Sequence, residues 1–186
     1  MDKEKSINSF LENVERLSQL PLITNSEMNE LFGEEVAAAL AQLNRYNHEN
    51  QICLRCQNRC CQASGCELYA PQFKHCPIQD FRPVVCRLHF CHSFHIQGNS
   101  IVEELGDIFF DSLLTADRYG NTRVRLFDSP PLAICAPDLV AATSHWVNAV
   151  REGSLNPEYA EKLVLHEAKK YCIAHTCSTA PIEVNN

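Results

Sequence analysis

Apolar residues fall into helical stripes toward both ends of the chain and lose any period in its middle. Ile7, Phe10, Leu11, Val14 and Leu17 recur at three- and four-residue spacing, which predicts an amphipathic helix broken by Pro21. Thr24, followed three residues later by Glu27, is a capping-box pattern. Behind it Met28, Leu31, Phe32, Val36, Leu40 and Leu43 form one apolar stripe, the mark of a second helix. From Gln51 to about His95 cysteines replace the periodicity, so this stretch is expected as loops and short turns that a metal must organise.

Order resumes after the cysteines. Ser100 and Glu103 repeat the capping-box pattern ahead of Ile101, Leu105, Ile108, Phe109 and Leu113, with Gly120 as the stop. Residues 122–127 alternate polar and apolar and predict one short strand ended by Pro130 and Pro131. Pro137, at a first-turn position, opens a helix carrying Leu139, Val140, Trp146, Val147 and Val150, closed by Gly153. Asn156 and Pro157 then cap a last helix reaching about Tyr171, with Leu163, Val164 and Tyr171 expected buried. The fold class is mainly α, with helices packed around an irregular cysteine-rich metal-binding loop region. One domain is expected over 1–186: N-terminal helices (1–50), a cysteine-cluster segment (51–95) and a helical scaffold (96–186).

Length and composition agree with that outline. A chain of 186 residues, 45% hydrophobic, can build one real core and is too short for two large domains. Its net charge of −7 lacks the basic footprint that phosphate backbones or anionic lipid surfaces require, so neither nucleic acid nor membrane is an expected partner. The charge is uneven, however. Between Cys53 and His95, five basic residues (Arg55, Arg59, Lys74, Arg82, Arg87) face two acids (Glu67, Asp80), which puts positive charge where thiolates would sit. Residues 1–10 lack the apolar run of a signal peptide, and no apolar stretch is long enough to span a bilayer, so a cytoplasmic protein is expected. In a reducing compartment eleven cysteines do not read as a disulfide framework, and the odd number would leave one unpaired elsewhere.

Eight of the eleven lie within 39 residues: Cys53-x2-Cys56-x3-Cys60-Cys61-x4-Cys66-x9-Cys76-Pro77, then Arg82-Pro83-x2-Cys86-Arg87-x3-Cys91. Closely spaced thiolates on tight loops can converge on one centre, as in bacterial ferredoxins, although the spacing differs. Zinc modules usually show two separated C-x2-C knuckles, whereas here only Cys53 and Cys56 have that spacing. The balance points to an iron–sulfur cluster, of the four-iron four-sulfur type, with zinc as the alternative. The metal-ligand pool is Cys53, Cys56, Cys60, Cys61, Cys66, Cys76, Cys86 and Cys91, enough for two four-sulfur sites or for one site with accessory thiols. Cys60 and Cys61, if extended, point to opposite sides and so suit different sites. Arg82 and Arg87 are the candidate cofactor-binding residues, offsetting thiolate charge and hydrogen-bonding sulfur, with surface solvation or pairing to Asp80 as the plainer role. Phe73, Phe81, Leu88 and Phe90 either shield a cluster from water or belong to the ordinary core.

The combination of Cys53-x2-Cys56-x3-Cys60-Cys61, Cys66 in Cys-Glu-Leu, Cys76-Pro-Ile and Arg82-Pro83-x2-Cys86-Arg87 resembles the YkgJ-like cysteine-cluster family, described as zinc- or iron-chelating and related to flagellin lysine-N-methylases. The resemblance covers about 40 residues and implies that these cysteines bind metal. This chain departs from the pattern by its short stretch between Cys61 and Cys66 and by the added Cys91, and no methyltransferase domain accompanies it.

Weaker signals complete the reading. His89, His92 and His95 share one face of any helical turn and are ligands or proton relays if they are not simply exposed; His75 stands beside Cys76. Cys172 and Cys177 could join the cluster only if a helix ends between them, and otherwise pack. Cys135, alone before Ala136 and Pro137, reads as a core residue, and Tyr69, Tyr119 and Trp146 as packing residues. No G-x-S-x-G, P-loop, G-x-G-x-x-G or H-E-x-x-H motif occurs. The expected function is an iron–sulfur protein in electron transfer or in the support of another enzyme, working with a redox partner or client enzyme. A structural zinc adaptor and a cluster-dependent enzyme are the rivals.

Overall fold

The computed structural model describes residues 22–57, 59–83, 86–87 and 132–176, together with Lys5, Asn8 and Glu12, which are helical and exposed. The rest of the opening helix, the helix expected after Ser100 and the strand at 122–127 lie outside the described residues. So do Leu88, His89, Phe90, Cys91, His92, His95, Tyr119 and Cys177. Among the described residues helices dominate and no strand occurs, a mainly α fold. No helix among them is long and apolar enough to cross a membrane.

Helix α1 (Asn25–Asn50) begins as its sequence dictates. The Glu27 amide donates to the Thr24 hydroxyl (3.2 Å), while the Glu27 carboxylate accepts from the Thr24 amide (2.6 Å), which satisfies two otherwise orphaned donors. Met28, Leu40 and Leu43 of the expected stripe are buried. The helix is not continuous. At Gly33 the backbone takes φ 83° and ψ 166°, a conformation that is essentially glycine's alone, so the stripe is split by a kink.

Gln51, left-handed at φ 53°, turns α1 into the single helical turn α2 (Ile52–Arg55), and α3 (Arg59–Ala63) follows. Residues 64–78 form turns and lead into a 3-10 turn, Gln79–Phe81. Beyond, α4 (Leu132–Cys135) is one turn, α5 runs Pro137–Arg151 and α6 runs Pro157–Thr176.

Helices α5 and α6 pair as a hairpin closed through Gly153, whose φ of 75° suits the reversal. The Tyr159 amide donates to the Asn156 side chain (3.1 Å), the cap expected before Pro157. Along α6 the buried positions are Ala160, Val164, Ala168 and Cys172, each four residues from the last, so a ridge of small side chains meets Leu139, Thr143, Val147 and Val150 of α5. The sequence expectation of Leu163 and Tyr171 on this face was one step off: both are only half-buried. Thr143 is buried without penalty, because its hydroxyl donates to the Leu139 carbonyl (2.7 Å).

The cysteine segment adds its own apolar residues to this core. Leu68, Ala70, Phe73 and Ile78 are buried with Leu132, Ala136 and the hairpin, and Cys66, Cys76 and Phe81 pack against them. Phe73 and Phe81 are thus ordinary core. The segment leans on hydrophobic burial as well as on whatever its thiols bind.

Candidate metal centre

Three tethers fix the chain around the thiols. The Glu67 carboxylate accepts from the amides of Leu132 (2.8 Å) and Ala133 (3.1 Å), tying the residue after Cys66 to the start of α4. Arg151, at the end of α5, donates to the Tyr69 carbonyl through Nε (3.0 Å) and Nη2 (2.8 Å) and to the Glu67 carbonyl through Nη2 (2.8 Å). Arg87 donates to the Ile23 carbonyl (3.2 Å) and to the Asn25 side chain, tying the residue after Cys86 to the start of α1. The residues next to Cys66 and Cys86 are thereby tied to three helices.

Within that frame Cys60, Cys61, Cys66, Cys76 and Cys86 are half-buried. Cys60 and Cys61 lie on helix α3 and their thiols hydrogen-bond, so the expectation that they face opposite ways, which assumed extended backbone, does not hold. That hydrogen bond, then burial, then the charges of Cys60, Cys76 and Cys66 push the Cys61 thiol far up. Burial raises Cys66 to about 11, with Cys86 and Glu67 adding to it against the lowering effect of the Leu68 amide. Burial raises Cys76 to about 12; Arg82 pulls the other way, while Cys66 and Cys86 push further. Cys61, Cys66, Cys76 and Cys86 therefore oppose one another's ionisation. Four soft donors that repel as thiolates and sit in a half-buried site fit a cation. Among the described residues, however, no three His, Cys, Asp or Glu side chains are already grouped as around an ion.

The other candidates divide. Cys53 and Cys56 share the α2 turn: the Cys53 amide donates to Asn47 (2.9 Å) and the Cys56 thiol to the Cys53 carbonyl (3.3 Å). Arg82 donates to the Gln79 carbonyl (2.9 Å) and to Asn44 (3.2 Å), and its charge pulls the Cys76 thiol down against burial. Arg87 is spent on the start of α1; burial, then the charge of Arg82, lowers its pKa to about 10. His75 turns to α6, pairing with Glu161, and Lys74 beside it lies 3.6 Å from Glu158. Cys172 is buried among hairpin residues, which raises its thiol to about 11.

A cleft of about 430 Å³ opens beside the thiols. Cys61 and Cys66 form part of one wall, and Ser144, Asn148 and Arg151 of α5 part of the other. Sequence reasoning missed Glu67 and Arg151 as positioning residues. Their only signal is charge inside or next to an otherwise apolar stretch, and the partners of both are backbone groups that no spacing reveals.

No family model, no curated protein and no solved structure matches the chain.

Proposed function

We propose that this chain binds a soft-metal centre, an iron–sulfur cluster, through ligands drawn from the cysteine pool, with Cys61, Cys66, Cys76 and Cys86 at its heart. The observation that carries the reading is the run of eight cysteines within 39 residues, in which Cys61, Cys66, Cys76 and Cys86 are all half-buried and Cys66 and Cys76 pack against one core. A bound cluster would supply one-electron transfer there, and rotation of the thiols would complete its cage. Arg82 offsets the negative charge of the ligand set from the Cys76 side. The YkgJ-like motif supports the same reading, and the protein serves a redox partner or client enzyme in the cytoplasm.

The cleft favours a second reading, a cluster-dependent enzyme. Two of the candidate ligands line a space of small-molecule size whose far wall carries Ser144, Asn148 and Arg151. A purely electron-transferring centre needs no such space.

Purification without oxygen tests the proposal. A brown protein with broad visible absorption, iron and acid-labile sulfide is expected. Colourless protein with stoichiometric zinc would establish the adaptor alternative, and protein free of any metal after reconstitution would end the metal reading.

A further inference from the structure

Helix α2 is a single turn that carries two cysteines. Two bonds close it, from the Arg55 amide to the Gln51 carbonyl (2.8 Å) and from the Cys56 amide to the Ile52 carbonyl (3.1 Å), so Cys53 and Cys56 stand three residues apart on one helical turn. Its start is fixed: the Cys53 amide donates to the Asn47 side chain of α1 (2.9 Å), and Ile52 is buried. At its end helical geometry gives out. Cys56 takes φ −82° and ψ 0°, Gln57 turns left-handed at φ 53°, and α3 begins afresh at Arg59.

That spacing suits a bond between the two sulfurs. Residues three apart on an α-helix have Cα atoms about 5 Å apart, within the range of about 4.4–6.8 Å that disulfides span. Their Cβ atoms, about 5–6 Å apart, must close by about 1–2 Å, a movement that the interior of a long helix resists. Here Cys56 lies past the last helical residue, so only the end of the turn has to move. The Cys56 side chain already points back along the turn, as helical side chains do, its thiol donating to the Cys53 carbonyl at 3.3 Å. Both cysteines are half-buried thiols, and Leu54 and Arg55 between them are exposed, so a small reagent can reach the pair. Cys60, the next sulfur along the chain, lies beyond the break, on α3 with Cys61.

We propose that Cys53 and Cys56 form a reversible disulfide by exchange with a low-molecular-weight disulfide of the glutathione class, which makes α2 a dithiol site in its own right. One of the two thiols, as thiolate, attacks a sulfur of the external disulfide, forming a mixed disulfide and releasing one external thiolate. The other then attacks the protein sulfur of that mixed bond, closing Cys53 onto Cys56 and releasing the second external thiolate. The two protons given up by the protein thiols end on the two released thiolates, so one external disulfide is reduced as two protein thiols are oxidised. Because closure strains the turn, the bond is readily reduced, unlike a structural disulfide. The proposal goes beyond the metal centre and gives a separate chemistry to two cysteines outside the four at its heart.

Full-length protein, treated with a chelator and fully reduced, is equilibrated without oxygen in buffers of reduced and oxidised glutathione, quenched with N-ethylmaleimide and digested with trypsin. Cleavage after Arg45, Arg55 and Arg59 leaves Cys53 as the one thiol of peptide 46–55 and Cys56 as the one thiol of peptide 56–59, so their disulfide is read as these two peptides joined. The joined pair should be the main oxidised form of both cysteines, and should revert to alkylated thiols as reduced glutathione is raised. In Cys56→Ser the second thiol is gone, so Cys53 should accumulate as its mixed disulfide with glutathione at about tenfold or more the level in the parent. Peptide 56–59 joined instead to the peptide carrying Cys60 and Cys61 overturns the proposal. So does a parent protein in which both cysteines stop at the mixed disulfide, or stay alkylated thiols across the whole glutathione series. Metal loading plays no part in these readouts: failure here leaves the metal centre standing, and a chain that binds no metal leaves this test intact.

Discussion

Replacing Arg151 by Met keeps a long unbranched stem and removes the guanidinium that clamps residues 67–69 to α5. Three contacts to residues 67–69 disappear, two on the Tyr69 carbonyl and one on the Glu67 carbonyl, all between 2.8 and 3.0 Å, together with a fourth inside α5 to the Asn148 side chain (2.9 Å). A hydrogen bond from a charged donor contributes about 1.5–3 kcal/mol when sheltered, and solvent access at an exposed arginine trims this to about 1 kcal/mol for each carbonyl held. The expected loss is about 2 kcal/mol. With a urea dependence of about 2 kcal/mol per molar, the unfolding midpoint of the metal-free chain should fall by about 1 M. Arg151→Lys should recover less than half of it, because one ammonium cannot fork across two carbonyls. Circular dichroism at increasing urea measures all three proteins. A midpoint for Arg151→Met within about 0.2 M of the parent would refute the clamp, and with it the claim that α5 positions the Cys66 loop.

Gly33→Ala should cost about 1–3 kcal/mol, because φ 83° with ψ 166° strains any side-chain-bearing residue even though nothing stands within 4 Å of the added carbon; a thermal melt no lower than the parent's would show the kink to be dispensable. Cys76→Ser should abolish stable metal loading while Cys172→Ala retains it, as read by iron and zinc analysis; full loading of Cys76→Ser would remove Cys76 from the ligand set. With Cys66 at about 11 and Cys76 at about 12, both are protonated at neutral pH, so each thiol that ligates should release nearly one proton and steepen affinity by about tenfold per pH unit. Competition titrations at several pH values check this, and a pH-independent affinity would contradict it. The same raised values predict that the metal-free fold is unaffected below the unfolded thiol pKa of about 8.5, then weakens as pH climbs through 11 and 12, since the unfolded chain ionises first.

The helices were legible wherever a local signal specifies them. The Thr24–Glu27 cap, Pro137 at the start of α5 and the Asn156 cap of α6 depend on atoms within four residues of one another, and sequence reports such short-range geometry well. The loss of period at Gln51 was legible too, since α1 ends at Asn50, but not the left-handed conformation of Gln51, which glutamine seldom adopts. The buried face of α6 was misplaced because alanine carries little weight in an apolar pattern, although Ala160 and Ala168 are fully buried. At the site the cysteine run showed which residues matter but not how they meet. Glu67 with Leu132, and Arg151 with Tyr69, are side-chain contacts to backbone across 65 and 82 residues, and main-chain acceptors look alike in every sequence.

Those long separations also set an order of events during synthesis. At about 5–20 residues per second, Tyr69 leaves the ribosome roughly 4–16 s before Arg151. For that interval the nascent thiols have neither their clamp nor the hairpin that covers them. Until the final helices emerge, the segment around Cys66 and Cys76 waits without the core it packs against in the folded chain.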